Sequence, residues 1–154
     1  MMSAMKKDEI KIRPMERKDI DAVLAIDRRI SLTQSVLTRR ELIACDPGGP
    51  LDLSFVAEAD NKIAGFVLAR LTYVGVPVAE VGVIHTLLVD PDYRKQGIST
   101  KLISTLSSVC QTEGISQLRA VVNERDTQLK NFFEKMGFWR SELINYAKTF
   151  ETKS

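Results

Sequence analysis

The feature that most constrains this chain is a β-forming run from about Glu80 to Val89 that passes through Asp90-Pro91 into a basic turn and then an amphipathic helix. The turn reads Arg94-Lys95-Gln96-Gly97-Ile98-Ser99. The helix, expected from about Gly97 to Glu113, carries Ile98, Leu102, Leu106, Val109 and Cys110 on one face and ends at Gly114. The first N–H groups of such a helix have no intrahelical partner, and the helix dipole puts positive potential behind them. Gly97 has no Cβ to obstruct an oxyanion, and Arg94 and Lys95 add positive charge. On the turn alone, a phosphate site and a plain helix start with a solvated basic loop fit equally well.

The rest of the chain supplies elements that can surround this unit. Ile10 and Ile12 alternate with Lys11 and Arg13 before Pro14, which predicts a short first strand. Helical spacing runs from Lys18 to about Ile30. Thr38-Arg39-Arg40-Glu41 has the S/T-x-x-E pattern of a capping box, predicting a second helix that stops before Pro47. Asp46-Pro47-Gly48-Gly49-Pro50 reads as an ordinary loop, because its prolines remove backbone donors and it matches no phosphate-loop pattern. Strands are expected over Leu53–Ala59, Lys62–Tyr73 and Glu80–Val89, with turns at Asp60-Asn61 and Gly75-Val76-Pro77. Gly82 would mark a bulge or a close backbone approach. A short strand over Gln117–Val122, a helix over Asp126–Met136 capped by Gly137, and an extended stretch from Phe138 to Phe150 complete the order. These elements predict an α/β (α+β) fold: a mixed, mostly antiparallel central sheet of six to seven strands, flanked by about four helices on both faces. One domain over residues 1–154 is expected.

Composition narrows the function classes. The 154 residues carry 22 Lys and Arg against 20 Asp and Glu, a formal charge of +2, too balanced for a surface that grips nucleic acid by its phosphates. No apolar run approaches the roughly 20 residues of a membrane span. Met1 to Lys11 contains no apolar signal-peptide core, so a cytoplasmic protein is expected. Cys45 and Cys110 are far apart and the chain has one histidine, His85, which argues against a disulfide framework or a metal site. Both cysteines are read as free core thiols rather than nucleophiles, since neither has a histidine close in sequence.

Arg94-Lys95-Gln96-Gly97-Ile98-Ser99 resembles the Q/R-x-x-G-x-G/A pyrophosphate loop of the GNAT superfamily of N-acetyltransferases, preceded by the family's strand ending in Val-Asp-Pro. Asn123, followed by Phe133-Glu134-Lys135-Met136-Gly137-Phe138, resembles the family's Asn and Tyr-Glu-Lys-Leu-Gly-Phe pattern at its usual separation. The element order also matches. The resemblance implies acetyl-CoA as cofactor and direct transfer of its acetyl group to a primary amine of a small molecule, peptide or protein. It places Gln96, Gly97, Ile98, Ser99 and Thr100 with Arg94 and Lys95 at the pyrophosphate, Leu88 and Val89 at the pantetheine arm, and Asn123 near that arm. Phe133 stands where many members carry the tyrosine that protonates the leaving thiolate. That position then holds no acid, which a thiol of pKa about 8.5 can tolerate. Tyr146 is the substitute donor considered.

An amine with a pKa of about 10.4 must lose a proton before it attacks, so a base is useful. His85 is the first choice, matching a position where members often carry Glu or His, and Glu80 the second. An unassisted or water-mediated route stays open. Ser31 to Pro50 should line the acceptor side, and Arg28, Arg29, Arg39 and Arg40 lie on or near it. If one faces the cleft, a carboxylate-bearing acceptor is favoured; otherwise they form a solvated charged surface. Edge strands are compatible with a homodimer. The alternative function is a non-catalytic acyl-CoA-binding regulatory module that kept the pocket and lost the chemistry.

Overall fold

A computed structural model describes residues 9–30, 37–74 and 79–151. The chain divides into two compact units, residues 1–121 and residues 122–154. The first is built on one five-stranded sheet in the order β1-β2-β3-β4-β5. Its strands are β1 (Lys11–Pro14), β2 (Phe55–Ala59), β3 (Lys62–Val74), β4 (Ala79–Val89) and β5 (Leu118–Ala120). The first four run antiparallel in sequence, and β5 joins β4 in parallel. Helices α1 (Ile20–Ile30), α2 (Arg39–Ala44) and α3 (Ile98–Thr112) belong to the same unit.

Local chemistry explains most of these boundaries. β2 and β3 are joined by the two residues Asp60 and Asn61, with φ of 53° and 60°, the left-handed pair that matches the twist of a tight hairpin. Short side chains that bond their own backbone make Asp and Asn tolerant of that region. At α2 the expected capping box forms: Thr38 Oγ1 accepts from the Glu41 N–H at 3.1 Å, and the Glu41 carboxylate accepts from the Thr38 N–H at 2.8 Å. A 3-10 turn at Arg17–Asp19 leads into α1. Burial pushes the Asp19 carboxyl up, but hydrogen bonds from Arg13 and from the Glu16 N–H outweigh this and hold it below the ordinary carboxylate range.

Strand alternation distributes the core. Val56, Phe66 and Leu68 cluster with Ile20, Val23, Leu24 and Ile26 of α1 and with Leu42 of α2. Gly65, one residue out of phase, lies against α3: a Cβ there would sit 3.0 Å from Ile98 Cγ2 and 3.1 Å from the Leu88 carbonyl oxygen. Glycine lets the start of α3 press onto β3. Gly82 plays the close-approach part expected of it, since a Cβ would lie 3.0 Å from Leu118 Cδ1 and 3.2 Å from Leu53 Cδ1.

The bulge, however, is elsewhere. Leu68 pairs with Thr86 and Ala69 with Ile84, so the unopposed residue of β4 is His85, while Gly82 pairs regularly with Leu71 and Leu118.

The second unit contains α4 (Thr127–Lys135), started by Asp126, whose Oδ1 accepts from the Leu129 N–H at 3.0 Å. Phe133 packs edge-on against Phe132 and Phe138, with ring centroids 5.4 and 5.0 Å apart. No strand forms after it, so the described residues carry five strands and not six or seven. Trp139, Leu143, Ile144, Tyr146 and Phe150 are all exposed; their spacing lacks the period of two that gives a strand one apolar face. The Gly75-Val76-Pro77 turn lies outside the described residues. No helix among them is long and apolar enough to cross a membrane.

Candidate active site

The end of β4 and the start of α3 form the candidate site. β5 pairs only with Gly82, Val83 and Ile84, whereas β4 continues to Val89. Beyond the β5 contact, the main-chain groups on that edge of β4 have no strand partner among the described residues. Leu88 and Val89 are half-buried here, and because the Asp90 N–H bonds Ala64 of β3, alternation along the ladder turns the Leu88 main-chain groups toward β3 and those of Val89 to the open edge. The Leu88 side chain packs on the α1 cluster, so the main-chain groups open to a ligand at this point are those of Val89.

A short 3-10 turn, Pro91–Tyr93, follows β4 and is bolted down from several directions. The Asp90 N–H donates to the Ala64 carbonyl at 2.8 Å, and the Tyr93 N–H donates to the Asp90 carbonyl at 2.9 Å. Asp90 Oδ1 accepts from the Asp92 N–H at 2.9 Å. Arg29, from the last turn of α1, donates to both Asp90 carboxylate oxygens at 2.8 and 2.7 Å and to Asp92 at 3.2 Å. Its guanidinium is held above its ordinary range first by the bond to Asp92 and then by the charge of Asp90. Tyr93 donates its phenol hydrogen to Asp60 at 3.1 Å, which raises its pKa.

From this anchored root the chain turns through Lys95, with φ of 65°, and Gly97, with φ of 74°, into α3. Among the described residues no side chain caps α3, and nothing lies within 4 Å of where a Gly97 Cβ would be; no acidic residue occupies the helix's first turn. The N–H groups at the start of α3 therefore face open space with the dipole behind them. Arg94, Lys95, Gln96 and Thr100 are exposed and Ser99 is half-buried, whereas Ile98 is buried, so its contribution to a ligand is limited to its backbone. The residues present thus fit a pyrophosphate: donors with no partner among the described residues, a glycine whose conformation other residues adopt only with strain, and cations at the rim.

The two candidate bases are separated. His85 is exposed on its bulge, near the open edge of β4. Glu80 sits near the other end of the strand, roughly 16 Å away at about 3.3 Å per residue. There it accepts from the Tyr73 hydroxyl at 2.9 Å, which raises the Tyr73 pKa. The structure does not bring Glu80 and His85 together. In the second unit, Asn123 Oδ1 accepts from the Arg125 N–H at 2.8 Å, Phe133 is buried, and Tyr146 is 92% exposed.

Two of the four arginines considered for the acceptor are already paired, Arg29 with Asp90 and Asp92 and Arg39 with Asp21, while Arg28 and Arg40 are exposed. Burial raises the pKa of both Cys45 and Cys110, the opposite of what a thiolate nucleophile needs. Among the described residues no group of His, Cys, Asp and Glu could hold a metal ion. A cleft of about 480 Å³ on the α1 side is lined by Arg13, Asp19, Arg29, Glu58 and Asp90 among others. Its Arg13 and Arg29 charges are neutralised by Asp19, Glu58 and Asp90.

Residues 23–138 match the family model described as the acetyltransferase (GNAT) family. The chain belongs to this family. An uncharacterised N-acetyltransferase of Methanocaldococcus jannaschii is 30% identical over 91 residues, covering 58% of this chain and 40% of that protein. An acetyltransferase of Pectobacterium atrosepticum is 27% identical over 139 residues, 90% of this chain and 94% of its own. Solved GNAT-like structures share the fold. An aminoglycoside N-acetyltransferase in complex with CoA superposes with a TM-score of 0.78 at 16% identity, covering 95% of this chain and 98% of that one. A ribosomal-protein-alanine N-acetyltransferase from Brucella melitensis does so at 0.75 and 15%, covering 93% and 100%. One of these names describes a small-molecule acceptor and the other a protein, so GNAT membership leaves the acceptor class of this chain open.

Three features of this GNAT chain escaped sequence reasoning. Gly65 was visible as an isolated glycine inside a strand pattern, a recognised mark of close approach. The Asp-Pro dipeptide signalled the turn after β4 but not that Asp90 would pair with Arg29, because that partner lies far away in sequence. The left-handed Lys95 carries no sequence signal.

Proposed function

We propose that this GNAT chain is an acetyl-CoA-dependent N-acetyltransferase that transfers the acetyl group directly to a primary amine of a small molecule, peptide or protein. The uncapped start of α3 carries the reading, since its partnerless N–H groups and the empty space at Gly97 suit a pyrophosphate. In this reading the amides of Gln96, Gly97, Ile98 and Ser99, with Thr100 in the first turn of α3, hold the two phosphates, while Arg94 and Lys95 add charge. Val89, next to Leu88, gives main-chain groups to the pantetheine arm along the open edge of β4, and the resemblance adds Asn123 to the residues of that arm. When bound, acetyl-CoA supplies an activated acetyl thioester.

The Val89 N–H polarises the thioester carbonyl. His85 takes the proton from the attacking amine directly or through a water, as its bulge re-aims the side chain from the regular strand positions. Attack by the deprotonated amine on the acetyl carbon would break the carbon–sulfur bond and release the CoA thiolate. Phe133 offers no proton to that thiolate, and Tyr146 is the substitute donor. Glu80, held by Tyr73, is the second choice of base. The family match runs across the boundary between the two units, which supports one domain over residues 1–154. The alternation of Gly65 against α3 and Phe66 against α1 supports helices on both faces of the sheet.

Release of free thiol on incubation with acetyl-CoA and a panel of amines and peptide N-termini tests the proposal, and absence of turnover across the panel contradicts it. Replacing His85 by Gln should lower kcat about a hundredfold with little change in the KM for acetyl-CoA. Phe133 favours one other reading, a non-catalytic acyl-CoA-binding module, which tight acetyl-CoA binding without thiol release would select.

A further inference from the structure

The root of the turn before α3 rests on a carboxylate that the proposed chemistry does not use. The Asp90 side chain is 10% exposed, so its charge is largely removed from water. Among the described residues its ion-pair partner is Arg29, whose side chain is 47% exposed and reaches it from the end of α1. Asp90 also organises the turn through the Asp92 N–H, the Tyr93 N–H and the Ala64 carbonyl. A nearly buried carboxylate that loses its cation is costly, and the cheapest relief is to move toward water. Moving Asp90 pulls Pro91–Tyr93 with it, and the chain from there to Gly97 is short and contains a left-handed residue at Lys95 that leaves little slack.

We propose that Arg29 is a positioning residue for the anion-binding turn: by compensating Asp90 and bracing Asp92, it holds the amides around Gly97 where the pyrophosphate of acetyl-CoA needs them. This rests on the acetyl-CoA reading given above. Arg29 touches neither the cofactor nor the reacting atoms and acts through the carboxylates. It is suited to the task because one guanidinium nitrogen, Nη1, engages both oxygens of Asp90 while Nη2 reaches Asp92, so that two nitrogens fixed in one plane hold two carboxylates where lysine has a single nitrogen. Its place in the last turn of α1 favours a cation as well. The helix that leads toward the expected acceptor side is thereby tied to the turn that receives the cofactor.

Calorimetric titration of the full chain with acetyl-CoA, alongside thermal melts, tests this. Arg29→Met should weaken binding about tenfold, the scale expected when binding groups are slightly misplaced. Arg29→Lys should recover part of it. Adding Asp90→Asn to Arg29→Met should restore most of the affinity, because the amide keeps an oxygen for the Asp92 N–H and has no charge to hydrate. If Arg29 were only a structural tie, the second substitution would remove another bonding group and restore nothing. Wild-type affinity in Arg29→Met, or no rescue by Asp90→Asn, overturns the proposal. No uptake of acetyl-CoA by the wild type overturns the functional reading itself, and this proposal with it.

Discussion

Two helices of this protein begin in opposite ways. At α4, Asp126 turns its carboxylate back onto the Leu129 N–H and closes the helix end with the chain's own atoms. At α3, the corresponding position is a left-handed glycine with no side chain, and the N–H groups stay open. A capped end is a stability device worth about 1 kcal/mol, whereas an open end forgoes that stabilisation and keeps its donors for a ligand. The same contrast appears in the strand that feeds α3. β4 is paired on both edges over Gly82–Ile84 and on one edge beyond, where Leu88 and Val89 lead to the open helix. The open edge at the end of β4 thus runs into the open start of α3.

Substitutions can break or sharpen this comparison. The largest effect is expected from Gly97→Glu, which puts an anion and a strained backbone at the open end. Like-charge contact of this kind should weaken acetyl-CoA binding by about a hundredfold, measured by calorimetry, with the fold retained in circular dichroism. Gly65→Ala comes next. The added methyl must displace Ile98 and the Leu88 carbonyl, so a loss of about 1–3 kcal/mol in denaturant unfolding is expected, together with weaker cofactor binding. Asp126→Ala should cost about 1 kcal/mol of stability, seen as a lower melting temperature, because it opens a helix end that serves no ligand. Thr38→Ala removes half of the capping box of α2 and should cost about 0.5–1 kcal/mol, with no change in acetyl-CoA affinity. If Asp126→Ala and Gly97→Glu acted alike, the distinction between closed and open helix starts would fail.

What the sequence made legible follows the same division between local and distant. The capping box at Thr38 and Glu41, the Asp60-Asn61 turn and the glycine start of α3 were readable because each is decided within a few residues. The bulge at His85 was not, because it exists only as a mismatch of register with β3. The bond from Arg29 to Asp90 joins residues 61 positions apart, and no local pattern announces it. The expected last strand failed for a related reason. Phe138 to Phe150 is rich in apolar residues but lacks strict alternation, and a strand also needs a partner edge that composition does not supply.

An α3 start left open for a phosphate-bearing cofactor should respond to that cofactor at its own amides. Backbone amide shifts measured by NMR during titration with acetyl-CoA test it most directly. The account predicts large, saturable shifts at Gln96, Gly97, Ser99 and Thr100, and little change at Leu129 behind the Asp126 cap. Amides of 96–100 that stay in place while acetyl-CoA binds would contradict it.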